Sequence, residues 1–232
     1  MLKVDHIYSG YGDLKIIKDV TFDVNKDETV LILGLNGAGK TTLLKSIAGF
    51  VKLFSGKIIL DNNDITKLDS YKRAKLGITM IMEQAIFPDL TVKENMEIAH
   101  SKTRNSKFND ELNNILKTFP ELKTFLKIKA QALSGGQRKM LSMAMALLSK
   151  PKLLILDEPS AGLSPLMVSR VVKYVSLLKE NGITILIAEQ NPSFIDVADK
   201  VMVLESGVIK LMGNASEIAN NNEVRKTFFQ VS

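Results

Sequence analysis

Apolar positions along this chain fall into short runs separated by turn residues, and two spacings recur. Leu2, Val4 and Ile7, then Val20, Phe22 and Val24, alternate with polar residues as half-buried strands do, and Asn25-Lys26-Asp27 reads as a turn. Val30 to Leu33, Leu76 to Met82, Leu153 to Leu156 and Ile183 to Ala188 are largely apolar runs of the length expected for buried strands. Lys57 to Leu60 reads as a further strand between turns at Ser55-Gly56 and Asp61-Asn62-Asn63. Lys200 to Leu204 and Val208 to Leu211 read as a hairpin around Ser206-Gly207. Helical spacing marks Leu43, Leu44, Ile47 and Ala48, then Lys139 to Leu148, and Leu166 to Glu180 with Asn181-Gly182 as its stop. Pro192 to Ala198 and a short tail helix from Ser216, docked by Phe228 and Phe229, complete the set. Thr91 followed by Glu94 fits a capping box, and no strand pattern follows until about Ser149. These elements predict an α/β fold: a main sheet, a small antiparallel sheet beside it, and a helical block near 91–149 inserted between core strands.

The chemistry concentrates where the first buried run ends. Gly34, Leu35, Asn36, Gly37, Ala38 and Gly39 lead into Lys40, Thr41 and Thr42 at the start of a helix. Strand, glycine loop, Lys-Thr and helix match the phosphate-binding pattern G-x-x-x-x-G-K-[ST]. The backbone must curl with its N–H groups inward, and a Cβ would block close approach of a phosphate. The positive end of the helix faces the same point. Lys40 then reaches the outer phosphates and the Thr41 hydroxyl ligates Mg²⁺. A second carboxylate-bearing strand end, Asp157-Glu158, stands where an open parallel sheet places ligands. Beside a phosphate loop, Asp157 suits the Mg²⁺ shell and Glu158 suits a water. Tyr11, read as held in a flexible Ser9-Gly10-Tyr11-Gly12 loop, is either a surface tyrosine or a platform for a flat ring.

Composition narrows the setting. The 232 residues are 45% apolar and 24% charged, ordinary for a globular protein. No apolar run approaches the ~18 residues of a membrane span, and Asp5 interrupts any export signal. The chain has no cysteine, which excludes thiol chemistry. A net charge of +6 comes from scattered lysines, so the preferred reading is a solvated surface, then a membrane-facing one, with nucleic acid last.

Four motifs in order carry a resemblance. GLNGAGKTT at 34–42 is similar to a Walker A loop, LSGGQ at 133–137 to the ABC signature, LLILDEP at 153–159 to Walker B, and Ser160 to Ser164 stands where the D-loop belongs. The whole chain resembles the ATP-binding subunit of an ABC transporter. The resemblance implies a single domain over 1–232, with a P-loop NTPase (RecA-like) core and β flank from 1–90 and 150–232. It implies that ATP and Mg²⁺ are bound, with Tyr11 on adenine, residues 34–42 around the phosphates, and Thr41, Asp157 and the Q-loop residue, Glu83 or Gln84, on the metal. Glu158 and Gln190 act on the attacking water and γ-phosphate. Ser134, Gly135, Gly136 and Gln137 meet the nucleotide of a second ATPase subunit, alike or different, in a head-to-tail dimer. Transmembrane permease subunits are the implied partners, and the implied place is the inner face of the cell membrane, on the cytoplasmic side.

This chain departs from the family at three points. Ala188-Glu189-Gln190-Asn191 lacks the switch histidine, Ser164 replaces the D-loop aspartate, and the Q-loop position falls on Glu83 or Gln84. This combination is similar to one ATPase subunit of branched-chain amino acid importers. Urea, amide or lipopolysaccharide transport, a soluble non-transport ABC ATPase, and a binding-only subunit stand as alternatives.

Overall fold

The computed structural model describes residues 1–82, 86–100 and 107–229. In chain order it begins with β1 (Leu2–Tyr11), β2 (Leu14–Val24), β3 (Thr29–Leu33), α1 (Lys40–Ala48), β4 (Leu53–Leu60), β5 (Asn63–Asp64), α2 (Ser70–Lys75) and β6 (Ile78–Ile81). Three helices follow, α3 (Val92–His100), α4 (Phe108–Thr118) and α5 (Gly135–Leu148), with 3₁₀ turns at Pro120–Phe125 and Ala130–Ala132. Next come β7 (Leu153–Asp157), α6 (Pro165–Glu180), β8 (Thr184–Glu189), a 3₁₀ turn at Pro192–Val197, β9 (Lys200–Glu205) and β10 (Val208–Asn214). The described chain ends in α7 (Ala215–Ala219) and α8 (Asn222–Phe228).

Six strands form the main sheet in the order β10-β9-β3-β8-β7-β6, parallel except for the β10 edge. Its central strands are buried on both faces, which is why they read as continuous apolar runs. Strand alternation sends their side chains to two different cores. Val30, Ile32, Leu153, Ile155, Leu186 and Ala188 pack toward α1 and the small sheet. Leu31, Leu33, Leu154, Leu156, Ile185 and Ile187 pack toward the helices, including α3, α5 and α6. The small sheet, in the order β2-β1-β4-β5, is antiparallel throughout.

Several boundaries differ from the sequence expectation. Ser9, Gly10 and Tyr11 belong to β1, because Tyr11 pairs with Leu14 and leaves Gly12 and Asp13 as a tight turn rather than a flexible loop. Ser55 and Gly56 lie inside β4; Gly56 adopts φ 90 beside a register shift, where a Cβ would stand 2.4 Å from the His6 carbonyl oxygen. The helix expected from Lys139 starts at Gly135. Ser134 caps it by accepting from the Gln137 N–H at 3.3 Å, while the Ser134 N–H donates to Gln137 Oε1 at 2.8 Å. Pro192–Val197 is a 3₁₀ turn, and the tail forms two helices in which Val224 is buried and Phe228 packs on the core, while Phe229 stays exposed. The Thr91–Glu94 capping box forms as expected.

Candidate active site

The registers place the C-terminal ends of three neighbouring strands side by side, with Leu33 opposite Glu189 and Asp157 opposite Ala188. From that edge β3 releases the glycine loop into α1. Gly39 stands at the head of the helix with φ 105, a conformation that favours glycine, and no side chain caps the first turn. A Cβ at Gly39 would also press on Ile17 and Ile16 at 3.0 and 3.3 Å. The first-turn N–H groups are therefore left for an anion rather than for a capping side chain.

Lys40 is buried, and its ammonium donates to the carbonyl oxygens of Gly34 at 2.8 Å and Leu35 at 3.2 Å. It also pairs with Glu158 Oε1 at 3.0 Å. Thr41 Oγ1 donates to Asp157 Oδ1 at 3.0 Å. Strand parity explains that contact: Asp157 continues the Leu153 and Ile155 face, which looks toward α1. Burial raises the Asp157 carboxyl above its ordinary value; the Thr41 hydroxyl opposes this, and the neighbouring Glu158 charge adds to it. Glu158 turns away on a left-handed backbone, φ 44, while its N–H extends the ladder to the Ala188 carbonyl oxygen at 2.9 Å. Strained backbone of this kind costs about 1–3 kcal/mol and clusters at functional sites.

Two cavities meet at Glu158. One, of about 250 Å³, is lined by Gly37, Gly39, Lys40, Thr41, Thr42 and Ile16. The other, of about 320 Å³, is bordered by Ser160, Ala161, Gly162, Glu189, Gln190 and Asn191. Gln190 is thus brought to the carboxylate that also faces the glycine loop. Leu35, Asn36 and Ala38 face a third space of about 300 Å³ between the loop and α8. Ser134 and Gly135 are exposed at the start of α5, and Gly135 borders another cavity together with Ala161, Gly162 and Leu163. Gly136 is buried, where a Cβ would lie 2.0 Å from Met167 Cε. Gln137 is engaged in the cap of α5. Tyr11 is half exposed at the end of β1. Glu83 and Gln84 lie outside the described residues.

Sequence reasoning missed two neighbours of the loop. Ile16 packs on Gly39, and Glu189 is a buried carboxylate at the end of β8. The signal for Glu189 was present: an acid that directly follows a buried apolar run has to find donors.

The donor set suits Mg²⁺ held with a phosphate. Neighbouring oxygens of a magnesium octahedron lie about 2.9 Å apart, given ligands at roughly 2.0–2.1 Å, and the Thr41 and Asp157 oxygens are 3.0 Å apart. Among the described residues no group of three His, Cys, Asp or Glu side chains converges to make an all-protein cage. A cation here would take its remaining ligands from phosphate and water.

Comparison with known proteins gives the site its family. The model of the ABC transporter family matches residues 17–161. The probable branched-chain amino acid transport ATP-binding protein LivF of Archaeoglobus fulgidus is 39% identical, with 97% of each chain covered. The lipopolysaccharide export system ATP-binding protein LptB of Haemophilus influenzae is 33% identical, covering 98% of this chain and 96% of its own. Among solved structures, the ATP-binding cassette MJ1267 of an ABC transporter superposes with a TM-score of 0.86 at 27% identity, covering 98% of both chains. The chain that carries this uncapped helix behind a glycine loop, with paired acids at the adjoining strand end, therefore belongs to the ABC transporter family, as one of its ATP-hydrolysing subunits.

Proposed function

We propose that this chain binds Mg-ATP at residues 34–42 and hydrolyses it in a head-to-tail dimer, powering uptake of branched-chain amino acids through transmembrane permease subunits. The observation that carries the mechanism is the meeting of Lys40, Thr41, Asp157 and Glu158 at one strand edge. Thr41 and Asp157 would hold Mg²⁺, which supplies charge neutralisation between the phosphates. Lys40 exchanges its contact with Glu158 for the phosphates, which frees that carboxylate to orient and polarise a water. Gln190 donates its amide to the γ-phosphate from the second cavity, a neutral donor where the family's switch carries histidine. Ser134 and Gly135, exposed at a helix start, face outward and serve the nucleotide of the partner. The chain acts as one ATPase domain over 1–232 with a helical subdomain near 91–149. Among the described residues no helix is long and apolar enough to cross a membrane. In this reading the permease holds the chain at the inner face of the membrane.

Amino-acid uptake rests on the 39% identity to LivF. Lipopolysaccharide export is the second reading, on 33% identity to LptB. Size-exclusion chromatography of Glu158→Gln tests the mechanism. A dimer is expected with ATP, and monomers with ADP or with ATP after Ser134→Arg; a monomer throughout refutes the shared site. Reconstitution with the copurified permease tests the substrate: ATP-dependent uptake of leucine supports the reading, and its absence in an assembly that hydrolyses ATP overturns it.

A further inference from the structure

Glu189 is a buried carboxylate that the hydrolytic scheme does not use. It closes β8 in the middle of the main sheet and is 1% exposed. Parity aims its side chain the way of Ile185 and Ile187, away from α1 and opposite to Asp157. There its Oε1 accepts the Ser160 N–H at 2.7 Å, in the loop that follows Glu158. Its Oε2 accepts the N–H groups of Gln190 at 3.1 Å and Asn191 at 3.2 Å. Its backbone carbonyl accepts the Gly34 N–H, at the first residue of the phosphate loop, at 3.1 Å. One residue thus touches three of the loops that the proposed function sets around the reacting phosphate.

We propose that Glu189 is a positioning residue for hydrolysis: it locks the loop after Glu158 to the loop carrying Gln190, so that the Gln190 amide stands at a set distance from the water that Glu158 orients. The residue type follows from the donors. Three N–H groups converge on two oxygens, and a carboxylate meets them all with acceptors. An amide would turn an NH₂ group against one of them and release a loop. Ser160 is buried in the turn three residues past β7, which makes it the anchor. Gln190, exposed at the far side of the cavity, is the part that is steered. A donor misplaced by about 1 Å in such a site forfeits on the order of a hundredfold in rate.

This inference rests on the proposed contact of Gln190 with the γ-phosphate, and its test separates the two. Single-turnover hydrolysis and fluorescent-nucleotide affinity are measured on the purified full chain for Glu189→Gln, Glu189→Asp, Gln190→Ala and the Glu189→Gln/Gln190→Ala pair. Glu189→Gln should lose about ten- to a hundredfold in rate, with ATP affinity within about threefold of wild type. The pair should be no more than about threefold slower than Gln190→Ala alone, because both changes disable the same group. Glu189→Asp keeps the acceptors on a shorter arm and should fall between wild type and Glu189→Gln. It carries the test, with the same split between rate and affinity, if the Gln variant does not fold. A wild-type rate in Glu189→Gln, equal losses of rate and affinity, or multiplicative losses in the pair would overturn the positioning role while leaving Gln190 in place. A wild-type rate in Gln190→Ala would instead remove the γ-phosphate contact, and the inference with it.

Discussion

Arg73→Ala should destabilise the protein by about 3–5 kcal/mol, the range for breaking up a buried, hydrogen-bonded charge and its partners. The guanidinium is 2% exposed and donates four hydrogen bonds. Nε meets the Leu68 carbonyl at 2.9 Å, Nη2 meets Thr66 at 2.9 Å, and Nη1 meets Ser46 and Ile47 at 2.8 Å each. The last two carbonyls close the final turn of α1, where helical carbonyls lack partners and carry partial negative charge. Each charged bond contributes about 1.5–3 kcal/mol net, so simple addition would give a larger figure. Burial opposes it, pushing the guanidinium down from its ordinary value to about 10. The sign matters: folding disfavours the cation, so this penalty is fully present at neutral pH and fades only as pH rises past about 10. In a domain of this size each kcal/mol moves Tm by about 2–4 °C, so the variant should melt roughly 6–20 °C lower. Arg73→Lys retains charge without the planar fork and should fall between the two. Thermal and urea unfolding of the three proteins decides the matter. Arg73→Ala within about 1 kcal/mol of wild type, or matching Arg73→Lys, would refute the accounting.

Three other outcomes follow from the same contacts. Lys40→Ala should weaken nucleotide binding by about 1.5–3 kcal/mol, roughly ten- to 150-fold, in a fluorescent-nucleotide titration; unchanged affinity would remove the phosphate-loop assignment. Asp157→Asn should abolish Mg²⁺-dependent hydrolysis yet melt above wild type at pH 7. The folded pKa of Asp157 is raised, so its unfavourable contribution is complete above that value and disappears as pH falls toward 3.8, where the two melting curves should converge. A variant less stable than wild type at pH 7 would contradict this sign. Phe87→Ser should lose copurification with the permease, because Phe87 is 49% exposed while Asn95 clamps its backbone N–H and carbonyl at 2.7 and 2.9 Å; full stoichiometry would place the contact elsewhere.

What the sequence determined by itself was local. Three central β-strands, β3, β7 and β8, were legible as apolar runs because burial on both faces removes polar positions. The glycine loop was legible because phosphate binding needs backbone N–H groups, small residues and one lysine within a few positions. Capping at Thr91 was equally legible, since Thr and Glu satisfy helix N–H groups three residues apart. Partnership across the chain was decided by the tertiary structure. Only the register of β7 and β8 sends Asp157 toward Thr41 and Glu189 toward Ser160, contacts spanning 116 and 29 residues. Tyr11 and Gly56 were misread as loop and turn because a bulged or hairpin strand carries the same glycines as a loop, and pairing decides between them. Arg73 gave no local signal at all. An arginine on a short polar helix reads as surface until the end of α1, 26 residues away, closes over it. Periodicity reports which face of an element is apolar; it takes the packed sheet to settle which buried polar groups meet, because that depends on register and not on composition.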